Sequence, residues 1–433
     1  MALGGGSFVG MNKTLPGSYI NFVSSTATQS VGVDRGVVAL AADMDWGDPK
    51  TVQKITQAEF YQNTWKWFGH DYKDDEMKAF RDLFANAVTI YLYRLNGTTK
   101  ATCAYCDAKY EGTAGNNLKI VIAENENSTT ADPIYDVTTY ADLTAVDAQT
   151  VRSMAELLDN DYVTWNDSAT IAVTAGTDLT GGANGTSATS EQQKFLDAVQ
   201  QYQFNVLACT VTDSSTQALY VAFTKRMRDE MGVKFQLVLH GYSGDMDHEG
   251  IILVKNNSGS ELVPWVAGAS AACPINESLT NKTYDGEYTV DVNLTQTQLQ
   301  TALSNGEFVF HRVGDEVRVL SDINTLTTFT EAKSSIFSDN QAVRVIDYIG
   351  NYVASLFNTN FLGKVANDNT GRTVLWNEIV NMFKVLQTNG AVVNFESSDV
   401  TVTQGETRNS VIANVAVEIA GTMTKLYMTV LVN

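Results

Sequence analysis

The sequence predicts a multidomain protein of mixed α/β and α+β class, and three observations predict it. Its 433 residues exceed one ordinary core, since a domain takes roughly 100–200 residues. Hydrophobic residues make up 44% and aromatic residues 10%, enough to fill several cores and too much for extensive disorder. The apolar period also changes along the chain. Short alternating segments give way to a succession of helical and strand-like runs, which separates a sheet-only unit from a sheet covered by helices.

Residues 1–24 read as a linking arm. Met1 to Gly10 contains four glycines and cannot hold a helix, and Asn12 to Gly17 reads as a turn. Ser18 to Val23 alternates weakly, as a strand does. Phe8, Val9, Tyr19, Ile20 and Phe22 are too apolar for a free tail. They pack either on their own domain or on a neighbouring copy, and about twenty extended residues reach roughly 65 Å.

Residues 25–94 form the N-terminal part of the core. Gly36 to Ala42 is a buried strand, Asp74 to Val88 has helical spacing, and Thr89 to Arg94 is a strand. Residues 95–185 read as an inserted small β-sandwich. Its strands include Lys119 to Ala123, Ile134 to Val137 and Ala169 to Val173, with a short helix near Thr150 to Leu158. Thr180 to Gly185 ends it as a flexible, hinge-like stretch.

Residues 186–333 alternate helix and strand. Glu191 to Gln203 and Ser215 to Met231 are helices, Phe204 to Cys209, Val233 to His240 and Gly250 to Val254 are strands, and shorter elements follow. This is an α/β core sheet. Residues 334–433 form a C-terminal helix-plus-strand domain. It has two long helices, Asn340 to Leu356 and Thr373 to Leu386, and then strands Ala391 to Phe395, Val411 to Ile419 and Lys425 to Val432. Gly421 is read as the turn of a terminal hairpin. An apolar hairpin without a cover is an exposed edge that seeks a partner.

Charge excludes some classes of function. A net charge of -20 repels phosphate backbones, so no nucleic-acid partner is expected. Self-association must then rely on complementary patches or backbone pairing. The start of the chain has no basic region followed by an apolar run, so no signal peptide is expected. No run of 18 apolar residues is present, so no membrane insertion is expected.

At Leu3-Gly-Gly-Gly-Ser-Phe8, Asn12-Lys13 and Leu15-Pro-Gly-Ser-Tyr-Ile-Asn-Phe22 the chain resembles contractile tail sheath proteins of the myophage type, in particular those of prophage-like tails in Gram-positive bacteria. The order of segments resembles theirs along the whole length. The resemblance implies a subtilisin-like core sheet domain and a structural polymer, not an enzyme. It implies hexameric rings stacked helically on an inner tail tube, with baseplate and tail terminator proteins as further partners. It implies contraction that drives the tube through a cell envelope, in a virion or tail-like particle assembled in the host cytoplasm. It implies strands exchanged between copies. On this sequence they fall on Phe8, Val9, Tyr19, Ile20 and Phe22, and on Val411, Val415, Val417, Leu426, Met428 and Val430. Lys225, Arg226 and Arg228 form a basic cluster that could meet an acidic neighbour, or else a solvated helix face.

Chemistry has weak support. Cys103 and Cys106 have redox or zinc spacing, but no second ligand pair is near in sequence, so they read as two unrelated thiols. His240, Asp245, Asp247 and His248 crowd one segment that also reads as a polar βα connection. No phosphate-binding glycine motif occurs, and Ser243 is not in a nucleophile elbow. No catalytic residue, cofactor or metal is therefore expected. Trp65, Trp67 and Phe68 read as a core or interface cluster; the alternative is a surface- or carbohydrate-binding module.

Overall fold

The computed structural model describes residues 35–432. The expected arm at residues 1–24, with Phe8, Val9, Tyr19, Ile20 and Phe22, lies outside the described residues.

The first segment supplies three strands, β1 (Val37–Ala42), β2 (Val52–Thr56) and β3 (Thr89–Arg94). Between β2 and β3 lie helices α1 (Gln57–Gln62), α2 (Thr64–Phe68) and α3 (Lys78–Phe84). Thr56 and Glu59 form a reciprocal capping box that starts α1. The helix expected over Asp74 to Val88 is shorter, because a 3-10 turn at Asp75–Met77 precedes α3 and the chain leaves the helix after Phe84.

The next segment is all strand. It holds β4 (Lys100–Thr102), β5 (Cys106–Glu111), β6 (Leu118–Glu124), β7 (Tyr135–Ala141), β8 (Thr144–Val151), β9 (Val163–Trp165) and β10 (Thr174–Asp178). They form a four-stranded sheet, β10-β6-β7-β8, and a three-stranded sheet, β4-β5-β9. Leu118, Ile120 and Ile122 alternate inward from one, and Cys106, Ala108, Val163 and Trp165 inward from the other, into a shared core. Two expectations fail here. The strand expected at Ala169 to Val173 lies five residues later, in β10, and the helix expected near Thr150 to Leu158 shrinks to a 3-10 turn at Met154–Glu156. The glycine-rich stretch after β10 is pinned as well. Thr180 and Thr102 exchange backbone hydrogen bonds of 3.0 and 2.8 Å, Ala183 pairs with Thr99, and Asn184 accepts from the Thr113 amide at 2.8 Å.

The third segment returns to the core with α4 (Thr189–Val199), β11 (Val206–Ala208), α5 (Ser214–Lys225), β12 (Gln236–His240), β13 (Ile251–Val254), α6 (Val263–Ala272), α7 (Gln296–Ser304) and β14 (Glu307–Phe308). A small hairpin, β15 (Phe310–Val313) and β16 (Glu316–Val319), follows. The seven strands of the main sheet lie in the order β14-β13-β12-β11-β1-β3-β2. Every neighbouring pair is parallel except β2 against β3 at the edge. Val38 and Leu40 face one core with α3 and α6, and Ala39 and Ala41 face the opposite core with α4 and α5. Burial on both faces explains the continuous apolar runs of these strands.

Helix α6 crosses α3 closely at Gly268. A Cβ there would sit well inside van der Waals contact with the Leu83 carbonyl oxygen, which is backbone and cannot step aside. Gly268→Ala is expected to cost about 1–3 kcal/mol through overpacking. Urea unfolding of the variant beside the parent checks this, and equal midpoints would show that the helices can separate at no cost.

The last segment has α8 (Asn340–Leu356), α9 (Asn369–Thr388), β17 (Val392–Val393), β18 (Val400–Gln404), β19 (Val411–Val415) and β20 (Glu418–Ile419). Asp339 and Asp368 cap the two helices through their side chains.

Candidate assembly site

The C-terminal strands are built on α9. Trp376 donates its indole N–H to the Val400 carbonyl at 2.8 Å, and the Phe383 ring stacks on Phe395 at 5.1 Å. The β18–β19 hairpin is thereby fixed to the helix. Its partners run from Val400↔Val415 to Gln404↔Val411. The expected pairing of residues 411–419 with 425–432 about Gly421 is therefore incorrect. Val411 and Val415 pair with β18 of their own chain, a strand the sequence reading omitted, and β20 pairs with β17 through Val392↔Ile419.

Beyond β20 the chain holds no helix or strand among the described residues. Leu426 is 85% exposed, Met428 75% and Val430 67%. Met423, Tyr427, Leu431 and Val432 are exposed as well, and Val417 just before β20 is partly so. Even- and odd-numbered positions are thus both apolar. A strand with one solvated face would alternate, whereas a strand buried on both faces reads as a continuous apolar run. This segment has the composition of a central or doubly covered strand and the exposure of a loop.

The basic cluster does not lie together on the surface. Helix α5 ends at Lys225 and a π turn, Arg226–Glu230, follows. The wider turn directs Met227 and Arg228 inward. Arg228 is buried and grips Asp347 of α8 with two hydrogen bonds, 2.7 and 2.8 Å. Burial alone would lower the Arg228 pKa, but the Asp347 carboxylate more than offsets it and the net shift is upward. Lys225 pairs with Asp245 at 3.0 Å, and Arg226 is exposed. Arg228 therefore serves the joint between α8 and the sheet, not an outer surface.

The joint has a second pair, which the sequence reading omitted. Arg344 of α8 donates to Asp322 at 2.6 Å and to the Glu277 carbonyl at 2.9 Å, and both side chains are almost fully buried. The signal was present: Arg344 and Asp347 stand among Val343, Val345 and Tyr348, which are buried neighbours on α8.

The segment from His240 to Glu249 is dispersed by the fold. The His240 ring nitrogen Nδ1 contacts the Val254 carbonyl at 3.0 Å, Asp245 is taken by Lys225, and Asp247 accepts from the Thr327 and Thr328 amides. Only His248 meets other ligand-type groups, Asp229 and Glu249. Lys333 already places its ammonium 2.9 Å from Glu249, and Arg228 lies 3.8 Å from the same carboxylate. Burial would raise the Glu249 pKa, yet Lys333 and the charges of His248 and Arg228 hold it below the ordinary value. The positive charge such a cluster needs is thus supplied by the protein. A second group, His70, Asp74 and Glu76, is open to solvent at Glu76, and His70 is engaged with Asp45 at 2.9 Å.

Known proteins show the same organisation. Residues 35–95 match the family model for the tail sheath protein Gp18 domain III N-terminal region, and residues 96–184 that for the phage tail sheath protein beta-sandwich domain. Residues 181–325 match the phage tail sheath protein central domain, and residues 332–433 the phage tail sheath C-terminal domain. The crystal structure of a sheath tail protein from Desulfitobacterium hafniense is 33% identical, with a TM-score of 0.80 over 95% of this chain and 99% of that one. The chain belongs to the phage tail sheath protein family.

Other members agree. The phage-like element PBSX protein XkdK of Bacillus subtilis is 33% identical over 475 residues, spanning 100% of both chains. The sheath tail protein of Listeria innocua is 31% identical, with a TM-score of 0.78 over 90% of this chain and 93% of that one. The contracted helical sheath of the anti-feeding prophage, at 12% identity and a TM-score of 0.55, shares the fold. As a tail sheath protein the chain is a structural component of a phage tail or tail-like particle.

The aromatic cluster of this sheath protein is part of its packing. Trp65 and Phe68 are buried. Trp65 donates to Asp142 at 2.8 Å and meets Trp46 edge-on at 5.2 Å, while Phe68 packs on Phe80 at 4.4 Å. Neither ring has a face free to stack on a sugar, and Trp67 is half-buried, packed against the same core as Phe68 with the Lys66 ammonium 5.5 Å from its ring centre. Among the described residues no helix is long and apolar enough to cross a membrane.

Proposed function

We propose that this sheath protein polymerises as stacked six-fold rings around an inner tail tube and contracts by repacking between copies, driving the tube through a target envelope. The observation that supports this most is the exposed run from Met423 to Val432, in which both odd and even positions carry apolar side chains. Such a run gains stability by entering a sheet of another copy, because unpaired backbone N–H and C=O groups accept an added strand. Each bond nets about 0.5–1.5 kcal/mol, and burial of the apolar side chains adds to it. Leu426, Met428 and Val430 carry this role, with Phe8, Val9, Tyr19, Ile20 and Phe22 as the matching arm. Val411, Val415 and Val417 support the segment's root.

Flexible strand links let the bodies turn and slide while remaining joined. The driving energy then lies in the difference between two body–body packings, and no nucleotide is consumed. Exposed Arg226 is available to meet an acidic neighbour, a useful contact in a chain of net charge -20. Baseplate and tail terminator proteins would close the two ends of the polymer, in a particle assembled in the host cytoplasm.

Electron microscopy of the concentrated purified protein tests this reading. Striated tubes of uniform width are expected. A protein that stays monomeric at high concentration, with and without tube protein, would remove the basis for it.

A further inference from the structure

Cys103 and Cys106 flank the two-residue turn that joins β4 to β5. The turn is closed by the Cys103 amide donating to the Cys106 carbonyl at 2.9 Å. Its tip is tied down, because the Tyr105 carbonyl accepts from the Asn166 amide at 2.9 Å. The two sulfurs lie 3.6 Å apart. They are not two unrelated thiols. The spacing on a strand-turn places them side by side, and the backbone bond holds them there.

Their surroundings differ. Cys106 is buried in the shared core of the two small sheets, at 1% exposure, with Trp165 as its register partner on β9. Cys103 is half-buried between exposed Thr102 and exposed Ala104. One thiol is thus open to a solution reagent and the other waits behind it. We propose that Cys103 and Cys106 are a redox pair that closes to an intrachain disulfide by exchange with a small external disulfide such as oxidised glutathione.

The steps balance. The Cys103 thiolate attacks one sulfur of the external disulfide, whose S–S bond breaks and releases one thiolate. A mixed disulfide remains at Cys103. Cys106 then gives up its proton and attacks Cys103 Sγ, expelling the second small thiolate. The protein loses two hydrogens, and one external disulfide becomes two thiols. The electrostatics suit these roles. The Cys106 thiol, hydrogen-bonded to Cys103, and the Tyr105 and Cys106 amides bring the Cys103 pKa down to about 6, against the opposing effects of burial and of Asp107. That makes Cys103 the attacking thiolate near neutral pH. Cys106 is shifted upward, first by its bond to Cys103 and then by burial, so it stays protonated until the mixed disulfide forms.

The product is a covalent clip across the β4–β5 turn, at a position where the assembled particle's reading as a sheath gives no role to a thiol. The proposal does not depend on that reading, and its test does not require assembly. The reduced protein is incubated with oxidised glutathione near pH 7.5, quenched in acid, alkylated and digested with trypsin. The peptide Ala101 to Lys109 carries both thiols. It is expected to lose two hydrogens and to resist alkylation, while Cys209 and Cys273, both buried, remain as thiols. A peptide with both cysteines alkylated, a stable glutathione adduct on the parent protein, or a disulfide to another chain would each overturn the proposal. Alkylation of Cys103 followed against pH supplies a second readout. Half-maximal rate near pH 6 is expected, and a midpoint at the ordinary thiol value of about 8.5 would remove Cys103 as the attacker.

Discussion

A chain truncated after Thr422 is expected to fold with an unchanged melting temperature and to form no tubes. Leu426, Met428, Val430 and their neighbours are exposed, and among the described residues none of residues 421–432 makes a backbone hydrogen bond. Removing them therefore takes little from the body. If they enter a sheet of another copy, as proposed, the same residues bury apolar side chains and make on the order of five backbone bonds, at about 0.5–1.5 kcal/mol each. Loss of several kcal/mol at every junction is multiplied over the lattice, so assembly should fail outright at concentrations where the parent is fully polymeric. Circular dichroism melting and sedimentation on the same samples separate the outcomes. A truncated chain that melts early would place the segment on its own body, and one that still sediments as tubes would deny it a linking role. The cut must fall after β20, since removal from Val411 onward would also take β19 from its partner β18.

The second large effect concerns folding. Asp322→Ala is expected to cost about 3–5 kcal/mol, because it leaves the Arg344 guanidinium buried without its counter-charge. Three groups converge on this carboxylate: Arg344 at 2.6 Å, the Leu279 amide at 2.9 Å and the Asn340 side-chain amide at 3.0 Å. Burial alone would lower the Arg344 pKa, and the Asp322 charge raises it above the ordinary value instead. That pKa gap keeps the cation charged throughout the working pH range. The double variant Asp322→Ala with Arg344→Met removes both charges and should recover part of the loss. Urea midpoints of the parent, single and double variants check this. A double variant as unstable as the single would point to lost packing and not to an unpaired charge.

The elements that were legible had their signal within themselves. Thr89–Arg94 and Asn340–Leu356 were placed to the residue. The first alternates between apolar faces, and the second carries a capping Asp339 ahead of a strong helical period. The parallel strands were legible as apolar runs because they are covered on both sides. What failed depended on partners. The segment 425–432 has the composition of a strand, but a strand exists only when paired, and no pairing partner lies among the described residues. Val400–Gln404 has a weaker signal: Val-Thr-Val-Thr alternates, but only Val400 is buried, and the strand is defined by its pairing with β19. Arg228 was misplaced because a π turn rotates it by a fraction of a turn, and sequence spacing alone does not reveal that rotation. The two thiols read as unrelated because no second ligand pair lies near them in sequence, although the strand-turn that carries them sets the sulfurs 3.6 Å apart.

The ion pairs of α8 have opposite polarity. The helix offers a cation at Arg344 and, three residues on, an anion at Asp347, and these face Asp322 and Arg228 respectively. A slip of the helix by three residues would set Asp347 against Asp322 or, in the other direction, Arg344 against Arg228, like charges in a site with little water. The helix is in effect a keyed shaft that enters its socket in one position only. Sliding of α8 along the main sheet is thereby blocked in both directions, so the helix and the sheet move as one piece.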